Sequence, residues 1–188
     1  MDPVTIFPNE DSWRKLKIAE YKDLIVRSPG KWVQTLEAQF GGRIYGGYLE
    51  DRSPLFDIRH DPEALIHLGL DFWMPENTSI HSHVEGVVCH TAYEPDILLG
   101  WGGRIDIKSA DLVYIFGHLK RPEFIVGDLI RKGQTIGKLG KRSENGGWLP
   151  HLHIQAVRLC TYNTYANPNS IDAYAKPKAN LPSNFPEP

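Results

Sequence analysis

Nowhere in the 188 residues does an uninterrupted apolar run reach the roughly twenty residues that a membrane-spanning helix requires. The opening stretch, Met1-Asp-Pro-Val-Thr-Ile-Phe-Pro-Asn-Glu-Asp11, has neither the basic start nor the apolar centre of a secretory signal, so the expected compartment is the cytoplasm. Basic charge is not in excess either. Twenty-one Lys and Arg face 23 Asp and Glu, for a formal charge of −2. No basic block or stripe appears, which argues against nucleic acid or a membrane surface as partner. Cysteine is scarce: Cys89 and Cys160 are the only two, and neither belongs to a Cys-x-x-Cys pair. Both sit in strand-like apolar surroundings, so reduced, buried thiols are expected. No internal repeat or low-complexity block is visible, and no residue pattern specifies an oligomeric state.

What is present is turn-rich and globular. The hydrophobic fraction is 41%, and 17 Gly with 14 Pro predict many turns and few long helices. One helix is expected from Asn9 to about Arg27. Asn9 or Asp11 would cap it, Trp13, Leu16, Leu24 and Ile25 would form its stripe, and Pro29-Gly30 would end it. Residues 31–40 fit helix or strand equally. Glycine pairs at 41–42 and 46–47 bracket a short strand-like segment, Arg43–Tyr45. Residues 1–50 are too few to bury a core alone and read as a packed N-terminal extension. Residues 51–165 form the main domain, and a Pro/Asn/Lys-rich tail, 166–188, is expected to be extended and loosely ordered.

From about Ile66 onward the pattern is that of an all-β fold. Short apolar or alternating runs recur at Val84–Cys89, Arg104–Lys108, Leu112–Phe116, Gln134–Leu139 and Leu152–Leu159, separated by Gly, Pro and Asn clusters. The run Val126 to Gly140 places glycines at 127, 133, 137 and 140, where sharp turns with positive φ are expected.

The chemistry gathers around Trp148-Leu-Pro-His-Leu-His153. In a strand His151 and His153 project from one face with Cα atoms roughly 6.6 Å apart. One can then bind a metal while the other reaches a metal-bound water. Upstream, His67-Leu-Gly-Leu-Asp71 would span about 13 Å in a straight strand, too far for joint ligation, but Gly69 allows a bend. A third group, Tyr114-Ile-Phe-Gly-His118, ends an apolar strand in a histidine. Each group alone is better read as structural. Together, His67, Asp71 and His153 make a two-nitrogen, one-oxygen set suited to Zn²⁺ with a fourth position for water. His118 and His151 remain as non-ligands fit to handle that water and an oxyanion.

The order His67-x-Gly-x-Asp71, Gly117-His118-Leu119, the glycine-rich 127–140 run and Pro150-His151-Leu-His153 resembles the lysostaphin/LytM-type zinc metallopeptidases, endopeptidases that cut peptide cross-links of bacterial peptidoglycan. The resemblance covers about Leu65 to Arg158. It implies metal ligands at His67, Asp71 and His153, a catalytic pair at His118 and His151, and a fold of two antiparallel sheets of the duplicated hybrid type. Gly146-Gly-Trp-Leu-Pro-His-Leu-His153 is closer to a non-secreted branch found fused to aminotransferase and kinase-like domains. The Glu144-Asn-Gly-Gly-Trp148 lead-in departs from the usual glycine- and serine-rich approach and bears on what is cut.

The resulting expectation is an all-β metallopeptidase-like domain with a helical N-terminal extension, one Zn²⁺ and a peptide substrate. Which of His118 and His151 is the base stays open. A catalytically silent zinc-binding or regulatory module is the first rival; a carrier domain, which needs an exposed lysine or a phosphorylatable histidine and no metal ligands, is the second. His81, His83 and His90 read as packing or solvent-facing histidines, and Asp106 as a sheet-surface charge. Tyr45, Tyr48, Trp101 and Trp148 are candidate groove walls, and His60 a residue near the cleft.

Overall fold

The computed structural model describes residues 13–27, 31–53, 66–176 and 181–188. The chain begins with a short strand, Arg14–Leu16 (β1), a 3-10 turn at Ile18–Tyr21, and helices Lys22–Arg27 and Trp32–Phe40. The second helix ends at Gly41, whose φ of 70° permits the left-handed cap that closes the last turn. Strands then follow at Ile44–Gly46 (β2), Ile66–His67 (β3), Leu70–Trp73 (β4), Ser79–His81 (β5) and Gly86–Glu94 (β6). After these come Gly102–Ser109 (β7), Leu112–Leu119 (β8), Leu129–Ile130 (β9), Thr135–Lys138 (β10) and His151–Arg158 (β11). A short helix, Leu159–Tyr162, leads to a 3-10 turn at Pro168–Ser170, strand Tyr174–Ala175 (β12) and a last turn of helix at Leu181–Asn184. No helix among the described residues is long and apolar enough to cross a membrane.

The mostly β architecture expected from the periodicity is present. The large sheet has the order β1-β2-β4-β11-β8-β7-β6-β9, beside two-stranded sheets β10-β5 and β12-β3. All described pairings are antiparallel except β1 on β2, which is parallel. That pairing corrects one expectation. Residues 14–16, read as part of a single helix from Asn9, instead extend the sheet, and helix starts only at 18. Trp13, counted in the helical stripe, packs edge-on against Tyr45 and Phe72 at 6.2 and 5.4 Å. An edge strand with pairing partners and an aromatic anchor outweighs a loose local stripe. The expected caps Asn9 and Asp11 and the Pro29-Gly30 stop lie outside the described residues.

Both faces of the sheet are covered. Leu152, Ile154 and Ala156 of β11 face one way; the first two join Leu70, Phe72, Phe116, Ile105 and Ile107 in the main core. Val157 packs with Val113, Ile115, Tyr162, Ile171, Leu181 and Phe185 in a second. A third, formed by Ile18, Trp32, Leu36, Ile44 and Trp73, joins the N-terminal helices to the sheet. Burial of Leu181 and Phe185 shows that the last eight residues pack against the domain, contrary to the loosely ordered tail that their composition suggested. In the glycine-rich run, Gly127 and Gly133 take the positive φ expected of them, at 102° and 81°. Gly137 and Gly140 do not, because the first lies within β10 and the second closes against Leu119.

Two further expectations change. Asp106 is not a surface charge: it is fully buried, with Arg104 donating to both carboxylate oxygens at 2.7 Å and the Tyr162 hydroxyl donating to one of them at 2.7 Å. Residues 159–171 roof that face of β7, a cover that alternation within β7 cannot reveal. Both thiols are free, but only Cys89 is partly buried, beside this network, while Cys160 is exposed on the short helix. Asp106→Asn weakens the compensation of a guanidinium held out of water, and should cost about 3 kcal/mol in urea unfolding. His83 supplies a pH test. It packs on Tyr114 and Phe116, and neither ring nitrogen has a hydrogen-bond partner among the described residues. Burial lowers its pKa from 6.5 to about 4. Between these values the unfolded chain binds a proton that the folded protein refuses, so stability falls as pH drops from 6.5 toward 4. His83→Phe should reduce that fall, measured as the melting-temperature difference between pH 7 and pH 4.5.

Candidate metal centre

Register brings the site together. β11 lies between β4 and β8, with His153 opposite Asp71 on one side and Gly117 on the other, and His151 opposite Trp73. His118 follows Gly117 directly. The break between β3 and β4 at Leu68-Gly69 bends the chain, so that His67 Nε2 comes to 3.4 Å from Asp71 Oδ1. A side chain at 69 has no room: its Cβ would stand 2.4 Å from the Ile154 carbonyl oxygen and 2.6 Å from the His153 ring.

Each of the four histidines has one ring nitrogen tied to an acceptor outside the cluster. His67 Nδ1 is 3.0 Å from the Gly47 carbonyl and His118 Nδ1 3.1 Å from that of Asn145. His151 Nδ1 is 2.7 Å from the Leu149 carbonyl. His153 Nε2 lies 3.3 Å from Gln155 Oε1, whose amide is turned by donating to the Asp172 carbonyl at 3.2 Å. Carbonyls and amide oxygens only accept, so these nitrogens carry the protons. The opposite nitrogens, Nε2 of His67, His118 and His151 and Nδ1 of His153, are left as lone pairs.

Three acceptors therefore converge. His67 Nε2, His153 Nδ1 and Asp71 Oδ1 stand 3.1, 3.0 and 3.4 Å apart with no donor between them. These separations are close to the roughly 3.3 Å edge of a tetrahedron whose centre-to-corner length is about 2.0 Å, the zinc–nitrogen distance. The donor set and its spacing suit a divalent ion. Among the described residues this is the one group of three or more His, Cys, Asp or Glu side chains placed to hold a metal. His81, His83 and His90 form no second group.

Electrostatics keep the donors in the required states. Burial lowers the His67 pKa to about 4, helped by the Arg52 charge. Burial likewise pushes His118 well below its usual value, with His151 and His153 adding to the effect. For Asp71 burial acts the other way, but the charged Arg52 guanidinium bonded to it, joined by His67 only when that ring is protonated, holds the carboxyl well below the usual range. His67 and His118 are thus neutral and the Asp71 carboxylate charged. His118 also sits in the left-handed region at φ 65°, costly for a non-glycine residue and tolerated where surroundings over-determine it. Its N–H donates to the Trp101 carbonyl at 2.8 Å and its carbonyl accepts from Gly140 at 3.0 Å.

The cluster lies in a cavity of about 520 Å³. Of the four aromatic wall candidates, Trp101 and Trp148 line it. Tyr45 stacks on Phe72 at 5.3 Å, and the Tyr48 hydroxyl donates to the Phe185 carbonyl, so these two serve packing. His60 lies outside the described residues. The N-terminal segment contributes Ile18, Ile25 and Trp32 to one wall and residues 169–174 form another. Sequence reasoning missed Asn145, Gln155, Glu50 and Arg52. Gln155 was within reach, being two residues beyond His153 on the same strand face. The others act from loops and carry no periodic signal.

A β fold with a His/Asp/His cluster and two further histidines in one cavity defines a metallopeptidase-type protein. The sequence pattern of Peptidase family M23 matches residues 65–168, over half of the chain, and the chain belongs to that family. Lysostaphin of Staphylococcus staphylolyticus is 29% identical over 109 residues, 57% of this chain and 21% of that protein. Glycyl-glycine endopeptidase ALE-1 of Staphylococcus capitis is 29% identical over 108 residues, 56% of this chain and 27% of that one. The chain thus spans only about a fifth to a quarter of these relatives' length. The catalytic domain of lysostaphin from Staphylococcus simulans shares the fold, with a TM-score of 0.51 at 23% identity, over 79% of this chain and 96% of that one.

Gly69→Ala tests the packing of the cluster. The added methyl must displace the His153 ring, and zinc affinity measured by chelator competition should fall roughly tenfold or more.

Proposed function

We propose that this chain is a zinc-dependent metalloendopeptidase that hydrolyses an amide bond in a peptidoglycan-type or other short peptide. The observation that carries this reading is the set of five lone-pair donors facing one cavity, three of them at ligand spacing. Membership of a peptidase family, and likeness to a glycyl-glycine endopeptidase, support the same reaction class.

His67 through Nε2, Asp71 through Oδ1 and His153 through Nδ1 would hold the ion. A zinc ion held there lowers the pKa of a bound water toward neutrality and polarises a substrate carbonyl. His118 and His151 remain as the working pair, with ring centroids 4.4 Å apart. Each keeps its proton on Nδ1, bonded to a backbone carbonyl, and presents a bare Nε2 to the cavity. A bare Nε2 accepts the proton of the attacking water; the imidazolium so formed then donates to the departing amine nitrogen. The second histidine, in the same tautomer, offers a further acceptor that orients the attacking water, and the charge that builds on the carbonyl oxygen would fall to the ion. The backbone carbonyls of Asn145 and Leu149 hold both rings in the tautomer that this exchange needs.

Bound zinc and hydrolysis of muropeptides, measured for the wild type and for His153→Ala and His151→Ala, test the scheme. Hydrolysis should fall at least roughly a hundredfold in both variants, as expected for loss of an essential proton-transfer group or of the ion itself. Metal should be lost only from His153→Ala. Stoichiometric zinc with no cleavage of any muropeptide or glycyl peptide would favour the silent zinc-binding module, and full activity without metal would sink the site.

A further inference from the structure

The loop from Gly47 to Arg52 precedes the residues matched by the family, yet it touches two members of the cluster at once. The Gly47 carbonyl accepts from His67 Nδ1 at 3.0 Å. Arg52 Nη1 donates to Asp71 Oδ2 at 2.6 Å, while Asp71 Oδ1 faces His153, His67 and His151 at 3.0, 3.4 and 3.7 Å. The two carboxylate oxygens are thereby given different tasks. Arg52 is buried, 5% exposed, so this pair is not a screened surface contact. Its Nε in turn donates to Glu50 Oε2 at 3.0 Å, and Glu50 Oε1 accepts the Ala19 backbone N–H at 2.7 Å.

We propose that Arg52 is a positioning residue that restricts Asp71 to ligation through one oxygen, and that Glu50 and Ala19 make the N-terminal segment part of the metal centre's outer support. The proposal rests on the reading of His67, Asp71 and His153 as zinc ligands. A carboxylate free at both oxygens can turn or chelate; a charge-assisted bond on Oδ2 prevents both. A cation beside a metal site would ordinarily repel the ion. Here Glu50 is bonded to the same guanidinium, so the Arg52–Glu50 pair is nearly neutral seen from the cluster, and the orienting effect outweighs the Coulombic one. Backbone bonds lock the loop to the first ligand: Leu49 N–H donates to the His67 carbonyl at 2.8 Å, and His67 N–H donates to the Glu50 carbonyl at 2.9 Å.

The experiment uses the full chain and compares wild type with Arg52→Lys and with the double variant Glu50→Gln/Arg52→Gln, which removes both charges so that neither is stranded in the interior. Zinc affinity is read by chelator competition, and the site geometry by the visible spectrum of the cobalt(II)-loaded protein. The double variant should bind zinc roughly 10- to 100-fold more weakly, the range for loss of an outer-shell partner. Its cobalt bands should weaken as the freed Oδ2 raises the coordination number. Arg52→Lys, which keeps the charge but lacks the rigid fork whose Nε and Nη1 reach the two carboxylates separately, should fall between the wild type and the double variant. Wild-type affinity and spectrum in either variant would overturn the role of Arg52 alone. Failure of the wild type to bind zinc would overturn the metal-centre reading with it.

Discussion

One strand pairing underlies the site. β11 is held between β4 and β8, so that a single residue, His153, has Asp71 across one ladder and Gly117 across the other. Backbone hydrogen bonds set this register, and the apolar set Leu152, Ile154 and Ala156 enforces it by filling the core from the opposite face. His151 and His153 are therefore aimed at the cavity by the same burial that stabilises the sheet. No loop has to fold correctly for these two rings to stand where they do.

Loops supply what strands cannot. A strand fixes where a ring stands, but its rotation and tautomer depend on a partner for the second nitrogen. Gly47, Asn145 and Leu149 provide backbone carbonyls for three rings, and Gln155 an amide oxygen for the fourth. Asn145 is itself pinned, its side chain donating to the Trp148 carbonyl and accepting from the Trp148 N–H. The unusual Glu144–Trp148 lead-in is thus a structural support for His118 as well as a border of the cavity.

How much of this was legible in the sequence follows from the range of each interaction. The strands were legible because alternation is a local signal, and the five polar residues because they lie on or beside those strands at spacings set by the pleat. Gly69 was legible as a bend because a straight strand would keep His67 and Asp71 too far apart. What failed depends on neighbours distant in the chain. Asp106 alternates like an exposed residue, and only the segment 159–171, folding back over β7, makes it internal. Residues 14–16 carry a helical stripe, and only β2, thirty residues on, recruits them as a strand. Arg52 meets Asp71 across nineteen positions, with nothing in its own surroundings to mark it.

The interleaving along β11 also bears on how such a protein can change over evolutionary time. Site residues at 151, 153 and 155 alternate one for one with core residues at 152, 154 and 156. Inserting or deleting a single residue there would exchange the two sets, turning histidines into the apolar interior and leucine and isoleucine into the cavity. That strand can therefore drift only by substitution. Changes of length would have to fall in segments around it, such as 95–100, which borders the cavity without carrying any of the five histidine and aspartate side chains. Descendants of this chain are free to alter what the cavity admits far more readily than the chemistry at its floor.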